Sequence, residues 1–406
     1  MNNKQYGLLS LPVIVAALGF FVDIFDLLLF GVVRKPSLKE LGLSEDAILT
    51  KGEFIVSIQL IGMVVGGVLW GIIGDKFGRL KVLFGSILLY SVANIANGFV
   101  QDVNTYMIIR FIAGVGLAGE LGAGITLTSE ILPKEKRGLA GTIIATCGVL
   151  GGISAALLSK LITDWRILYF IGGAMGLLLL LLRISVAESS MYASMEKSNV
   201  QRGNFFQFFT KKERFYRYAK GMLIGMPVWY SIGILILFAD KFASEMHIAG
   251  VTAANAILFQ YIGLGFGDVC AGLISHTLKS RKKALYIFYG VFAIFMVLFF
   301  MQNSSSPAWF YFICAGLGFG CGISVLYITT SAEQFGTNLR ASAATSITNN
   351  VRGFTPLLLL LFQAIRNITG YITGAWMIGI GVMLISFTAL YYTKESFGKD
   401  LDFVEE

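Results

Sequence analysis

The sequence predicts an all-α membrane protein of twelve transmembrane helices, arranged as two pseudo-symmetric six-helix bundles. Three observations carry that expectation. The 406 residues are 56% hydrophobic and only 14% charged, with a mean hydropathy of +0.74, which is more apolar surface than a soluble core can hide. The apolar residues fall in about twelve blocks of roughly 20, the length a helix needs to cross about 30 Å of hydrocarbon at 1.5 Å per residue. One long internal polar stretch, residues 187–220, parts the blocks into two sixes.

The predicted spans are 8–33, 52–73, 82–99, 105–131, 138–162 and 166–186, then 221–243, 251–275, 284–302, 308–331, 341–365 and 371–392. The first follows a polar start whose only charge is Lys4, and it contains Asp23 and Asp26, so it is expected to stay as a helix and not to be a cleaved signal. The turn between the second and third reads Gly71-Ile-Ile-Gly-Asp75-Lys76-Phe-Gly78-Arg79-Leu-Lys81. The fourth carries Arg110, then Gly114, Gly116, Gly119 and Glu120, and leaves through Glu130 to Arg137. Residues 1–186 are read as an N-terminal bundle, 187–220 as a cytoplasmic linker and 221–406 as a C-terminal bundle. The linker, with Phe205, Phe206, Phe208, Phe209, Phe215 and Tyr216, includes an amphipathic piece expected on the inner membrane face. In the seventh span Gly225, Pro227 and Gly233 weaken the backbone ladder and permit bending. Glu130 followed by Arg137 at the end of the fourth span recurs, with the same spacing and half a chain later, as Glu333 followed by Arg340 at the end of the tenth. That is the mark of an internal parallel repeat.

Basic residues set the orientation, because Lys and Arg are retained on the cytoplasmic side of short loops. With the N-terminus inside, the inner segments hold about 21 of them and the outer loops, chiefly Arg34, Lys35, Lys39, Lys51, Arg166, Lys241 and Arg366, about 7. Both termini are therefore expected in the cytoplasm. The net charge of +8 follows from this topology and requires no nucleic-acid partner. Cys147, Cys270, Cys314 and Cys321 all lie in predicted helices as packing residues. His247 and His276 sit near helix ends, so any protonation chemistry falls to carboxylates. No phosphate-binding loop, metal-ligand cluster or catalytic domain is apparent, so no cofactor, no metal and no enzymatic activity are expected.

The motif from Gly71 to Lys81 resembles the signature loop of the major facilitator superfamily, and the resemblance extends over essentially the whole chain. It implies the major facilitator fold, alternating access, and a gating role for Gly71, Asp75, Gly78 and Arg79, together with Glu130, Arg137, Glu333 and Arg340. The counterpart loop, Gly272 through Lys283, keeps the basic residues but lacks the Asp and the second Gly. Helix 1, with Asp23 and Asp26, is similar to that of the phosphate:proton symporters, as is Arg340-Ala-Ser-Ala followed by Arg352, where a Lys is usual in that family. Glu120 followed by Leu121-Gly122 departs from the phosphate pattern and is similar to the organic-acid (metabolite):proton symporters.

A charge within the bilayer costs several kcal/mol unless paired or hydrated and is by default a functional candidate. Asp26 and Arg110 share a depth and are expected to pair; Asp23, on the same helix face as Asp26, falls near the depth of Arg352, which offers a second pair. Proton coupling is assigned to Asp23, Asp26 or Glu120. Solute binding is assigned to Arg110 and Arg352, with Gln59, Trp229, Tyr230, Gln260, Tyr261, Tyr327, Asn349 and Asn350 at suitable depths; Asp240 and Asp268 are rim or pathway charges. The expectation is a monomeric secondary transporter in a bacterial inner membrane, moving a small, anionic metabolite with protons. An exporter of a drug-like molecule or siderophore, a sugar or polyol symporter, and a non-transporting receptor are the alternatives. The fifth span, Gly148-Val-Leu-Gly151-Gly152, lacks the Gly-Pro typical of drug antiporters.

Overall fold

The computed structural model describes residues 10–77, 79–120, 134–187 and 205–398, some of them through their backbone alone. Among them every predicted span appears as helix. The first half holds α1 (Leu11–Glu40), α2 (Glu45–Phe77), α3 (Arg79–Asn97), α4 (Val103–Leu117), α5 (Lys134–Leu161) and α6 (Trp165–Ala187). The second half opens with a 3-10 turn at Phe205–Phe209 and α7 (Lys212–Tyr230). A π-helical turn, Ser231–Ile236, and the short α8 (Ala239–Glu245) complete the seventh span. Then come α9 (Ala253–Thr277), α10 (Arg281–Phe300), the tenth span in two pieces as α11 (Pro307–Gly320) and α12 (Ser324–Ala332), α13 (Thr337–Thr369) and α14 (Tyr371–Tyr391).

Several helices outrun their apolar blocks. α1 continues to Glu40, so Arg34, Lys35 and Lys39 are helical and not loop residues, and α2 begins at Glu45. Hydropathy marks only the part of a helix that lies in hydrocarbon, and backbone hydrogen bonding carries the helix further into polar surroundings. Where helices do start, polar side chains supply the missing acceptors: Asp102 for Thr105 N at 2.9 Å, Thr252 for Asn255 N at 3.2 Å and Ser280 for Lys283 N at 3.1 Å. α13 and α14 join through Gly370 alone, whose φ of 89° is the left-handed conformation that favours glycine.

The chain forms two compact units: Met1–Phe30 with Lys35–Phe205, and Gly31–Arg34 with Phe206–Glu406. Within each unit the same close approach recurs. In the first, Gly62 and Gly66 of α2 lie against the Phe111 and Val115 carbonyls of α4, and Gly114 returns the contact to the Gln59 carbonyl. In the second, Gly263 and Gly267 of α9 lie against the Ala315 and Phe319 carbonyls of α11, and Gly318 meets the Gln260 carbonyl. A Cβ at any of these glycines would collide with backbone, so the small residue is what lets the helices meet. Gln59 and Gln260 are thus equivalent positions of a structural repeat, half a chain apart.

Polarity is inverted relative to a soluble protein. Large apolar side chains such as Leu88, Val92, Leu178, Leu181, Phe266, Leu273, Leu357 and Leu384 are exposed, whereas Asp23, Asp26, Arg110 and Gln260 are fully buried. The outer surface suits lipid, and the polar groups face the interior of each bundle.

The weak ladder expected around Pro227 is real and has local remedies. Pro227 offers no amide to the Leu223 carbonyl, and the Ser386 hydroxyl of α14 donates to that oxygen instead at 2.8 Å. One turn on, the helix widens to i→i+5 bonding, with Leu237 N donating to Ile232 O at 3.1 Å.

Candidate functional site

In the first unit, α1 brings two carboxylates to the bundle interior. Asp26 meets Arg110 of α4 as expected: Arg110 Nη1 lies 3.6 Å from Asp26 Oδ1, and Nη2 donates to the Asp26 carbonyl at 3.4 Å. Nη1 also donates to Asn94 Oδ1 of α3 at 3.4 Å, and the guanidinium lies 5.2 Å from the centroid of the Tyr169 ring of α6. The Tyr169 and Tyr106 hydroxyls are 2.6 Å apart, so an aromatic shelf fixes the arginine from one side. Neither carboxylate oxygen of Asp26 makes a close hydrogen bond among the described residues. The pair is fully buried, and its 3.6 Å separation is longer than a hydrogen bond.

Glu120 has a partner that the sequence analysis did not name. Arg183 of α6 grips it with both terminal nitrogens, Nη1 to Oε1 at 3.1 Å and Nη2 to Oε2 at 2.9 Å, the bidentate geometry that a guanidinium makes with a carboxylate. Gly19 of α1 lies opposite; a Cβ there would come within 2.6 Å of Arg183 Nη2 and 2.7 Å of Glu120 Oε2. Asp23 is fully buried on α1 between Gly19 and Asp26. Gln59 is also buried, and its side-chain nitrogen finds no hydrogen-bond acceptor among the described residues.

In the second unit, Arg352 of α13 is buried, its guanidinium 5.3 Å from the centroid of the Trp229 ring. Pro356, one turn later, withholds the amide that would bond the Arg352 carbonyl, so the helix is loosened where the cation projects. Tyr327 of α12 is buried against Gly225 of α7, and its hydroxyl lies within electrostatic reach of Arg352 and of Asp268. Gln260 donates to Ser231 Oγ of the π-helical turn at 3.2 Å and keeps its side-chain carbonyl without a donor among the described residues. Tyr261 and Asn349 are buried too. Two candidates turn elsewhere: the Tyr230 hydroxyl donates to the Ala375 carbonyl at 2.7 Å, and Asn350 donates to the Tyr218 hydroxyl at 2.8 Å. Both bond helix to helix.

The gating candidates divide. Gly71, Asp75, Arg79 and Arg137 lie in helical backbone, and the side chains of Asp75, Arg79 and Arg137 fall outside the described residues, as do Gly78 and Glu130 entirely. Glu333 pairs with Arg281 of the counterpart loop, Nη2 to Oε1 at 3.2 Å, and accepts from Ser396 Oγ at 2.6 Å; Arg340 Nε donates to the Phe335 carbonyl at 3.2 Å.

Beside this cluster Glu395 caps α10. Its carboxylate accepts from Arg281 N at 3.0 Å, Lys282 N at 3.2 Å, Phe397 N at 3.0 Å and the Ser280 hydroxyl. Burial acts against the charge, and these hydrogen bonds together hold the carboxyl down at about 2. The counterpart loop that lacks an Asp thus receives a carboxylate from the segment that follows α14. Arg183 and Glu395 were the residues missed. Arg183 sits near the end of a span, where a basic residue ordinarily reaches for water, and a contact to backbone amides leaves no side-chain signature.

The profile of the Major Facilitator Superfamily matches residues 16–359. The chain is 26% identical to the benzoate transport protein of Acinetobacter baylyi over 81% of this chain and 78% of that one. It is 26% identical to the cis,cis-muconate transport protein of the same organism over 91% and 89%. Among solved structures, a D-xylose-proton symporter superposes with a TM-score of 0.73 at 17% identity, covering 96% of this chain and 99% of that chain.

Proposed function

The chain belongs to the Major Facilitator Superfamily, and from that premise we propose that it carries a small organic anion across the bacterial inner membrane, coupled to protons. It is a membrane transporter with twelve transmembrane helices and not an enzyme. The observation that carries the proposal is the buried Asp26–Arg110 pair, a proton-accepting carboxylate beside a cation in the membrane interior. Arg352, buried against Trp229 in the second unit, supplies a planar cation suited to a carboxylate, and Gln260 retains an acceptor for a polar substituent. Relatives that carry benzoate and cis,cis-muconate support an organic acid as solute. Bundles at 1–186 and 221–406 joined by a linker, and cytoplasmic termini, complete the reading; the distribution of basic residues supports the latter.

The test is uptake into liposomes holding the purified protein, with benzoate and cis,cis-muconate as probes. A pH gradient of one unit is worth about 1.4 kcal/mol per coupled proton and sustains roughly tenfold accumulation. Accumulation that collapses with a protonophore is expected. Uptake that only equilibrates, whatever the gradient, would reject coupling, and absence of uptake of any organic acid would reject the anion.

A further inference from the structure

At the end of α14, in the second unit, basic side chains from two neighbouring helices close on the last carbonyls. Lys220 of α7 donates to the Tyr392 carbonyl at 2.9 Å, and Lys282 of α10 donates to the Tyr391 carbonyl at 3.0 Å. Two further cations are tied to the same place. Arg217, one turn before Lys220 on α7, donates to the Gln334 carbonyl at 2.6 Å, and the Gln334 side-chain amide donates to the Lys394 carbonyl at 2.9 Å. Lys394 itself is exposed, two residues beyond Tyr392.

Capping the helix accounts for only part of this charge. A helix C-terminus carries about half a negative charge, whereas Arg217, Lys220, Lys282 and Lys394 each bring a full positive one. The nearby carboxylates are committed elsewhere: Glu333 to Arg281 and Ser396, and Glu395 to the Ser280 hydroxyl and the Arg281, Lys282 and Phe397 amides. Among the described residues the lysines that pair with carboxylates are Lys35 and Lys241, far from this cluster in the chain. Glu213 is the one acid among the charged neighbours of Lys220. The surface beside the cluster is apolar. Leu384, Thr388 and Tyr391 are exposed and spaced i, i+4 and i+7, so one stripe of α14 runs up to the basic residues. Tyr391 and Tyr392 are 70% and 66% exposed, the setting of tyrosines whose rings meet acyl chains and whose hydroxyls meet water. Alongside, α10 exposes Ile287, and Tyr286 stacks on Phe387 of α14 with ring centroids 5.9 Å apart.

We propose that an anionic phospholipid docks at this end of α14, its phosphate on the Lys220, Lys282 and Lys394 ammoniums and an acyl chain along Leu384, Thr388 and Tyr391. The cations supply the charge complement, and each lysine beside a phosphate strengthens attachment roughly fivefold. The stripe selects a lipid over a soluble anion, which would leave Leu384 and the two tyrosine rings without a partner. The site lies on the outside of the second unit and is independent of which solute is carried.

The experiment titrates delipidated full-length protein in neutral detergent with phosphatidylglycerol and with phosphatidylcholine of identical acyl chains, and counts bound lipid by native mass spectrometry. Wild type should hold phosphatidylglycerol about tenfold more tightly. Lys220→Gln/Lys282→Gln should weaken that binding roughly thirtyfold and leave phosphatidylcholine unchanged. Lys220→Arg/Lys282→Arg keeps the charge and should retain the lipid. Lys394→Gln leaves both contacts to the α14 carbonyls in place, so it is expected to fold whatever the paired variant does, and should lose roughly fivefold. Lys211→Gln/Lys212→Gln removes two exposed charges from the start of α7, outside the cluster, and should have little effect. Equal affinity for the two lipids, or an equal loss in the Lys211/Lys212 variant, would reduce the cluster to general surface charge and overturn the site. Displacement of the lipid by equimolar inorganic phosphate would overturn the role of the stripe. Phosphatidylglycerol binding that appears only after Asp400, Asp402, Glu405 and Glu406 are changed to their amides would mean that the chain's acidic end, and not lipid, occupies the site.

Discussion

Ser386 of α14 donates its hydroxyl to the Leu223 carbonyl of α7 at 2.8 Å, the oxygen that Pro227 leaves without an amide. Ser386→Ala therefore strands a part-buried acceptor and should destabilise the second unit by about 1 kcal/mol. Pro227→Ala restores an amide to Leu223, so in that background the same serine substitution should have a smaller effect. Thermal unfolding of the four proteins in detergent forms the double-mutant cycle. Equal effects in both backgrounds would show that Ser386 does not serve this carbonyl.

Arg352 separates charge from geometry. If its guanidinium holds the solute carboxylate, Arg352→Lys should keep part of the affinity, and Arg352→Gln should weaken binding by about 2 kcal/mol or more, roughly thirtyfold. Isothermal titration with benzoate measures both. Wild-type affinity in the two variants would assign Arg352 to packing against Trp229 and leave the anion without its main cation.

Asp26→Asn removes the carboxylate beside Arg110 but keeps its shape and a hydrogen-bonding oxygen. Gradient-driven accumulation should be lost, whereas exchange without a gradient should persist at a reduced rate. Asp23→Asn provides the comparison in the same liposomes. Accumulation that survives both substitutions would remove α1 from the coupling chemistry.

Glu395 makes a pH-dependent contribution whose sign is fixed. Its carboxyl is held at about 2, below the ordinary 4.5, by hydrogen bonds to Ser280 and to the Arg281, Lys282 and Phe397 amides. A group with a depressed folded value stabilises fully above its unfolded value and loses that contribution as pH falls from about 4.5 toward 2. Glu395→Gln should thus reduce stability near neutral pH, by about 1 kcal/mol for a capping carboxylate at a helix N-terminus. The difference from wild type should vanish toward pH 2 in thermal melts. A difference that stays constant down the same range would mean that the carboxylate charge is not what caps α10.

Segment length and hydropathy by themselves determined the twelve spans, because the need to bury backbone amides across 30 Å of hydrocarbon leaves a helix of about 20 residues as the simplest solution. Depth along those spans was also legible: Asp26 and Arg110 could be matched by counting from the helix ends, and the structure pairs them. Rotation about each helix axis was not legible. Tyr230 and Asn350 have suitable depths but turn their polar groups to Ala375 and Tyr218. Arg183, near the end of its span and not singled out from the sequence, turns inward to Glu120. Which face meets which neighbour depends on glycine contacts such as Gly62 on Phe111 and Gly263 on Ala315, where backbones touch and set the phase of each helix. Charge and depth are properties of the chain read in order, whereas the partner of a buried charge is decided only when those helices lock together.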